Sequence, residues 1–316
     1  MSRFRVSAPA RLHFGLLDAK PGKGVRFGSL GLAVEEPRLV LEAEPAGRLE
    51  VEGPQAGRVR AAAASFIDAA GILGGARIRV RETIPDHVGL GSGTQVALAT
   101  ALAIARLHGL QEDLVGWCRM LGRGRRSGIG THAFRLGGFL LDAGHAEDRL
   151  SLPPLVFRQP FPGEWRIVAV IAREGRGVSG EEEERLFAAQ PDSPISLLDR
   201  LSGIILMQLL PALLERDLPA FGLALEKIQE GVGSLYQEAQ GGLYHPVACP
   251  WVRWLREAGC SGVGQSSWGP CVYAFTPDHG SAYELAARAR REGPEPGADV
   301  RVLQARNHGA EVDETT

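Results

Sequence analysis

Over residues 1–55 apolar and polar positions alternate with a period of two, in runs such as Phe4-Arg5-Val6-Ser7 and Arg11-Leu12-His13-Phe14-Gly15-Leu16. Successive side chains of a strand point to opposite faces, so these runs predict strands, broken at Pro9 and resumed over 30–34 and 39–43. The alanine-rich stretch 61–70 predicts a helix stopped by Gly71. Residues 76–82 alternate again, Ile78 and Val80 lying between Arg77, Arg79 and Arg81, which predicts a half-buried strand with an arginine edge. Helix 94–108 is apolar nearly all round and ends at Gly109, so it is predicted to be central. A helix over 112–121, an arginine- and glycine-rich segment 122–130 and a strand over 133–141 follow.

Pro153, Pro154, Pro160 and Pro162 then punctuate the chain and mark a boundary between domains 1–160 and 161–316. Beyond it the pattern predicts a buried strand over 165–172 and helices over 180–189, 195–215, 217–238 and 247–258. Two strand-like runs flank a Gly/Ser loop near 260–276, and helix 279–292 and strand 299–304 come last. That order predicts an α+β sandwich of ferredoxin-like type. The tail 307–316 is polar and is expected to fray.

Composition narrows the function classes. Hydrophobic residues make up 44% and charged residues 23% of 316, which excludes a disordered or collagen-like chain. The net charge of −2 gives no global signature of a nucleic-acid partner. No stretch approaches the roughly 20 uncharged apolar residues of a membrane span, and no signal-peptide pattern follows Met1. Cys118, Cys249, Cys260 and Cys271 have no metal-type spacing and read as reduced thiols of a cytoplasmic protein. Of 35 basic residues only Lys20, Lys23 and Lys227 are lysines, which leaves 32 arginines. Codon bias explains such an excess; planar arginine forks that grip phosphate or carboxylate are the alternative.

The candidate chemistry begins at Ile84-Pro85-Asp86-His87-Val88-Gly89-Leu90-Gly91-Ser92-Gly93-Thr94-Gln95, which runs from a strand into a helix. Gly89, Gly91 and Gly93 let backbone N–H groups approach a ligand, Ser92 or Thr94 is placed to cap the helix, and its unpaired first amides favour phosphate. A tight turn without a ligand is the bland alternative. No lysine follows the last glycine, so this is not a Walker loop, and the spacing is not that of a dinucleotide fold.

Pro85-x3-Gly89-Leu90-Gly91-Ser92-Gly93 resembles the central phosphate loop of the GHMP kinase superfamily. Ala8-Pro9-Ala10-Arg11-Leu12-His13-Phe14-Gly15 and Gly262-Val263-Gly264-Gln265-Ser266-Ser267-Trp268-Gly269-Pro270 resemble its first and third motifs, in order. The resemblance implies the GHMP-kinase fold: an N-terminal domain of the ribosomal-protein-S5 domain-2 type, a C-terminal ferredoxin-like domain, and a site in the cleft between them. Many of those kinases carry Ser-Gly-x-Asp, but Ser127-Gly128-Ile129-Gly130-Thr131-His132 has glycine where the acid is expected. His132 is the alternative base, or a hydrogen-bonded structural residue.

Arg126 to Phe134, Gly177-Val178-Ser179-Gly180-Glu181-Glu182-Glu183 and the Gln265-Ser266-Ser267-Trp268-Gly269-Pro270 string resemble the beta-ribofuranosylaminobenzene 5'-phosphate synthase family. That family joins phosphoribosyl pyrophosphate to 4-aminobenzoate, or 4-hydroxybenzoate in some members, with loss of carbon dioxide and pyrophosphate, in tetrahydromethanopterin biosynthesis. The resemblance implies catalytic roles for His132, Arg126 and Ser127 and no need for the kinase acid. It also implies phosphate or substrate binding by Gly89, Gly91, Ser92, Gly93, Thr94, Arg11, His13, Gln265, Ser266 and Ser267. Mg²⁺ is the expected cofactor, its ligands unassigned, with Asp18, Asp86 and one of Glu181 to Glu184 as weak candidates; the acidic run also reads as a solvated first helical turn. Arg123 and Arg125 join Arg126 either as a phosphate-facing loop or as a solvated charge run, and Trp268 either stacks on the aromatic acceptor or packs in the core. The partners expected are small molecules, without nucleic acid or membrane, and the assembly a homodimer. An ATP-dependent small-molecule kinase is the alternative reading.

Overall fold

A computed structural model describes residues 3–18, 28–144, 152–173, 177, 185–186 and 193–315. Glu181 to Glu184 and most of the predicted helix 180–189 lie outside the described residues.

Strands β1 (Arg3–Leu16) and β2 (Ser29–Ala46) pair antiparallel along nearly their whole lengths, from Phe4↔Ala43 to Leu16↔Ser29, with register shifts at Pro9/Ala10 and His13/Gly15. The short β3 (Glu50–Glu52) lies parallel to β4 (Gly75–Glu82), which pairs with β2 on its other side. Ile78 and Val80 of β4 are buried as its alternation requires, but β4 is not an edge. Its arginines form cross-strand ion pairs with neighbouring strands: Arg77 with Glu44 and Glu50, Arg79 with Glu52, Arg81 with Glu42. A good part of the arginine excess is thus a solvated ladder of surface pairs, each of small energetic weight.

Helix α1 (Ala56–Ala69) begins before the predicted start, and α2 (Ser92–Leu107) is buried at every residue from Gln95 to Ala105, the central helix its all-round apolarity predicts. α3 (Leu114–Met120) is capped by the Asp113 side chain, which accepts from Gly116 N. The predicted strand over 133–141 is half wrong. Residues Ile129–Leu136 form helix α4, and only Phe139–Asp142 form strand β5. Ile129 and Ala133 are one helical turn apart and both buried, a period that the short segment hid. Gly137 and Gly138 end the helix with φ of 62° and 82°, conformations in which a side chain is strained. β6 (Leu155–Gln159) pairs with β5 within the proline-marked stretch and completes this side of the sheet.

The second sheet holds β7 (Arg166–Ile171), β8 (Ser261–Gln265), β9 (Cys271–Thr276) and β10 (Asp299–Leu303) in the order β10-β7-β9-β8, all antiparallel. Numbered within this sheet, the order is 4-1-3-2, the ferredoxin-like arrangement. Helix α5 (Ile195–Ile204) passes through a π turn (Ile205–Leu209) into α6 (Leu210–Glu215). By length and composition this run is apolar enough to cross a membrane, with an 18-residue window of mean hydropathy 1.6. Here Leu201, Ile204, Ile205, Leu209 and Leu213 are buried in the core, while Leu206 and Met207 face outward. Helices α7 (Leu218–Gln240), α8 (Cys249–Glu257) and α9 (His279–Glu292) follow, α7 starting behind an Asp217 side-chain cap.

The second sheet is covered on both faces. Val168, Val170, Val272 and Ala274 pack with Trp251, Leu255 and Leu285. Tyr273 and Phe275 face the other way and meet Phe14 of β1 at ring separations of 5.3 and 6.2 Å, beside Phe161 and Phe221. The two sheets therefore share one aromatic core. The tail is not frayed: Glu311–Thr315 form β11, which pairs with β1 from Arg3↔Thr315 to Ser7↔Glu311. An edge strand exposes its side chains, so its polarity hid it. The buried Arg306 anchors this return, donating to Gly309 O, Ser7 and Glu35 and pairing with Glu311.

Candidate active site

Backbone and short side chains knit the three motifs into one unit. Arg11 N donates to Leu90 O at 3.1 Å, and Cys271 N to Val88 O at 3.2 Å, so both outer motifs hold the glycine loop. Ser266 Oγ donates to Gly89 O at 2.6 Å and accepts from His13 N at 2.9 Å, while Ser267 N donates to His13 O at 2.9 Å. Gly89 has φ 88°, and a Cβ there would collide with Ser266 O, which explains the first glycine. Ser266 is fully buried and its hydroxyl is engaged in this clamp. The Gln265 amide is engaged likewise: its oxygen accepts from His245 N at 2.7 Å and its nitrogen donates to Ser267 O at 2.9 Å.

Gly91, with φ 78°, forms the N-terminal cap of α2 through its backbone. Neither Ser92 nor Thr94 caps the helix, against expectation. Ser92 Oγ instead donates to Asp86 Oδ1 at 2.9 Å, and Thr94 packs where Gly130 leaves no room for a side chain, a Cβ there lying 3.2 Å from it. The opening amides of α2 thus remain available to an anion. Three arginines converge on this helix end. Arg11 donates to Gly89 O and lies against Gly91; Arg58 of α1 pairs with Asp86; Arg123 reaches to 3.2 Å from the Cβ position of Gly93, with Arg58 at 3.6 Å. Burial lowers the pKa of both Arg58 and Arg123, and the charge of Arg123 lowers that of Arg58 further. Two crowded cations beside a helix N-terminus are an arrangement that favours an anion. Arg126 is half-buried on the turn before Ser127, and Arg125 is exposed.

Behind the loop runs a buried polar chain. His13 Nε2 lies 3.0 Å from Ser127 Oγ, Ser127 Oγ 2.7 Å from Ser29 Oγ, and Ser29 Oγ 2.5 Å from Asp142 Oδ2. Asp142 also accepts from Gly128 N and Gly144 N, each at 2.9 Å. Burial raises the Asp142 pKa; burial first, and then the charge of Arg11, hold His13 well below its ordinary value. His132 takes no part in this chain. It sits on α4 rather than on a strand, with Nε2 donating to Pro153 O at 2.8 Å, and burial lowers its pKa. Sequence reasoning missed Ser29, Asp142 and Arg58. Asp142 had one signal, an acid closing the apolar run Phe139-Leu140-Leu141.

His13 also lines a cavity of about 50 Å³ between β1, α7 and the third motif. Gln229, Val232, Tyr236, Gln265 and Trp268 form much of its wall. Trp268 is 8% exposed and meets Tyr236 edge-on at 5.2 Å, so it is both a core residue and part of this wall.

The same organisation appears in known proteins. Residues 58–138 match the GHMP kinases N terminal domain, and residues 209–295 the GHMP kinases C terminal. The chain is 34% identical to the beta-ribofuranosylphenol 5'-phosphate synthase of Methanothermobacter thermautotrophicus, over 96% of this chain and 97% of that protein. It is 35% identical to the protein of the same name from Archaeoglobus fulgidus, over 98% and 99%. The crystal structure of homoserine kinase from Cytophaga hutchinsonii superposes with a TM-score of 0.70 at 17% identity, covering 98% of this chain and 97% of that one. Similarity carried over essentially the full length on the GHMP kinase fold places the chain in the beta-ribofuranosylphenol 5'-phosphate synthase family, enzymes of the pentosyltransferase type.

Proposed function

We propose that this enzyme transfers a phosphoribosyl group from phosphoribosyl pyrophosphate to a para-substituted benzoate, with loss of carbon dioxide and pyrophosphate. The observation that carries the reading is the convergence of Arg11, Arg58 and Arg123 on the N-terminus of α2, next to an aromatic-walled cavity. A pyrophosphate suits the first feature and a benzoate ring the second. As pyrophosphate leaves, the anomeric carbon becomes oxocarbenium-like, and the ring carbon bearing the carboxylate attacks it. Loss of carbon dioxide then restores aromaticity. The names of the relatives carry a phenol, which favours 4-hydroxybenzoate as acceptor over 4-aminobenzoate. The product is a C-riboside 5'-phosphate of the kind tetrahydromethanopterin biosynthesis requires.

No γ-phosphate transfer is called for, and the site supports that. Gly130 supplies no acid, and Asp142 is saturated by three donors and 1% exposed, so it is not poised over a substrate hydroxyl. Among the described residues no group of three His, Cys, Asp or Glu side chains forms a metal cage, and Asp86 is engaged by Arg58 and Ser92. On this reading the ion enters as part of a magnesium–phosphoribosyl pyrophosphate substrate, held largely by the substrate's own phosphates. The test is incubation of the protein with that substrate and carboxyl-labelled 4-hydroxybenzoate or 4-aminobenzoate. Labelled carbon dioxide and pyrophosphate appear in equal amounts; no release with either acceptor, or ADP formed from ATP across a metabolite panel, overturns the reading.

A further inference from the structure

The direction of every hydrogen bond in the buried chain from Asp142 to His13 follows from donor and acceptor capacity. Asp142, 1% exposed, receives Gly128 N on one oxygen and Gly144 N on the other. A carboxylate only accepts, so Ser29 gives it the single hydroxyl proton it owns. Ser29 Oγ then offers only lone pairs to Ser127, and Ser127 must donate across the 2.7 Å contact. The Ser127 oxygen is left as an acceptor, receiving Ile129 N at 3.2 Å and the His13 ring at 3.0 Å. His13 therefore carries its hydrogen on Nε2, and its Nδ1 is a bare lone pair. That nitrogen is buried and has no hydrogen-bond partner in the protein, in a residue 5% exposed that lines the cavity. An orphaned buried acceptor at a cavity wall calls for a donor from a ligand.

We propose that His13 is the catalytic base that takes the proton of the acceptor's para substituent, with Asp142, Ser29 and Ser127 as positioning residues that fix its tautomer. The proposal rests on the phosphoribosyl-transfer reading and deepens it. The phenolic O–H proton passes to Nδ1 as the oxygen pushes its electron pair through the ring to the opposite carbon, the one that bears the carboxylate. That carbon forms the bond to the anomeric carbon, and the C–O bond to pyrophosphate breaks with its electron pair leaving on pyrophosphate. The ring is then a dienone. The bond to the carboxylate breaks next, its electrons restore the aromatic ring, carbon dioxide departs, and the oxygen recovers its proton from the imidazolium. No proton is gained or lost overall. An amino acceptor uses an N–H in place of the O–H. The Asp142 charge, relayed through two hydroxyls, steadies the transient imidazolium.

The chemistry and the tautomer are tested separately. His13→Gln lowers kcat about 10²-fold or more, the range of general-base assistance, with the KM for phosphoribosyl pyrophosphate little changed. A 4-hydroxybenzoate with electron-withdrawing fluorines beside the hydroxyl is already ionised at neutral pH, so with it most of the loss is recovered. An equal loss with both acceptors, or wild-type turnover by His13→Gln, overturns the proposal and leaves the transferase reading standing. Failure of the wild type to release carbon dioxide overturns both. In nitrogen-15 NMR of histidine-labelled protein, the His13 signals, assigned by their loss in His13→Gln, show hydrogen on Nε2. Ser127→Ala, which interrupts the chain without placing an unmatched amide in the core, lowers kcat and removes the Nε2 preference. Hydrogen on Nδ1 in the wild type overturns the assignment.

Discussion

At the scale of single residues, the opening of α2 is crowded by positive charge from Arg58 and Arg123. Arg123 is the plainest case: it stands over Gly93 beside a second cation, Arg58, whose charge it disfavours. A hydrogen bond to a charged group is worth about 1.5–3 kcal/mol, so Arg123→Met raises the KM for phosphoribosyl pyrophosphate about tenfold or more in steady-state assays, while the KM for the benzoate stays near wild type. The histidines give a pH signature. His13 and His132 are buried with lowered pKa values, so the unfolded chain binds protons that the folded one refuses. Stability is therefore full above the ordinary histidine value of about 6.5 and is lost as pH falls below it. Thermal melts between about pH 7 and pH 5 show the decline, and His13→Gln shows less of it than the wild type. The glycines of the loop were legible in the sequence because backbone approach to an anion demands them. Asp142 and Ser29 were not, since a buried hydroxyl and a lone buried acid have no periodicity. Arg58 was one arginine among 32 on a helix whose start, at Ala56, was read five residues late.

At the scale of elements, legibility followed length. α2 and α7 repeat their pattern over several turns, and both were visible. α4 spans only two turns, and its Ala133, Phe134 and Phe139 pass for an alternating strand until Gly137 and Gly138 are seen to divide them. β11 was invisible because an edge strand needs no apolar face. Its anchor is a prediction in itself. Arg306 has no exposed side-chain surface and engages the Ser7 hydroxyl, the Ser7 and Gly309 carbonyls and the carboxylates of Glu35 and Glu311, so Arg306→Ala removes a partner from five groups. A loss of about 3 kcal/mol, read from denaturant midpoints, is expected. A change below about 0.5 kcal/mol, the range of a surface substitution, would mean that β11 holds without it.

At the scale of the molecule, the two sheets are not independent bodies joined by a linker. Phe14 belongs to the first sheet and Tyr273 and Phe275 to the second, and their rings pack together with Phe161 and Phe221. This core and the direct hydrogen bonds of Ser266 and Ser267 together hold the third motif against β1 and the glycine loop. Phe275→Ala removes a ring from the junction and costs about 3–5 kcal/mol. Calorimetry shows one cooperative transition for the wild type and the variant, at a lower temperature in the variant; two separate transitions would show that the halves unfold alone.

The return of β11 to β1 has a consequence for how the chain is made. β1 carries Arg11 and His13, yet the Arg3–Ser7 part of its outer edge is covered only when residues 311–315, translated long after it, arrive. Until then that strand edge is open, a template for pairing with other nascent chains. A demand for chaperones during translation is the consequence expected of this topology.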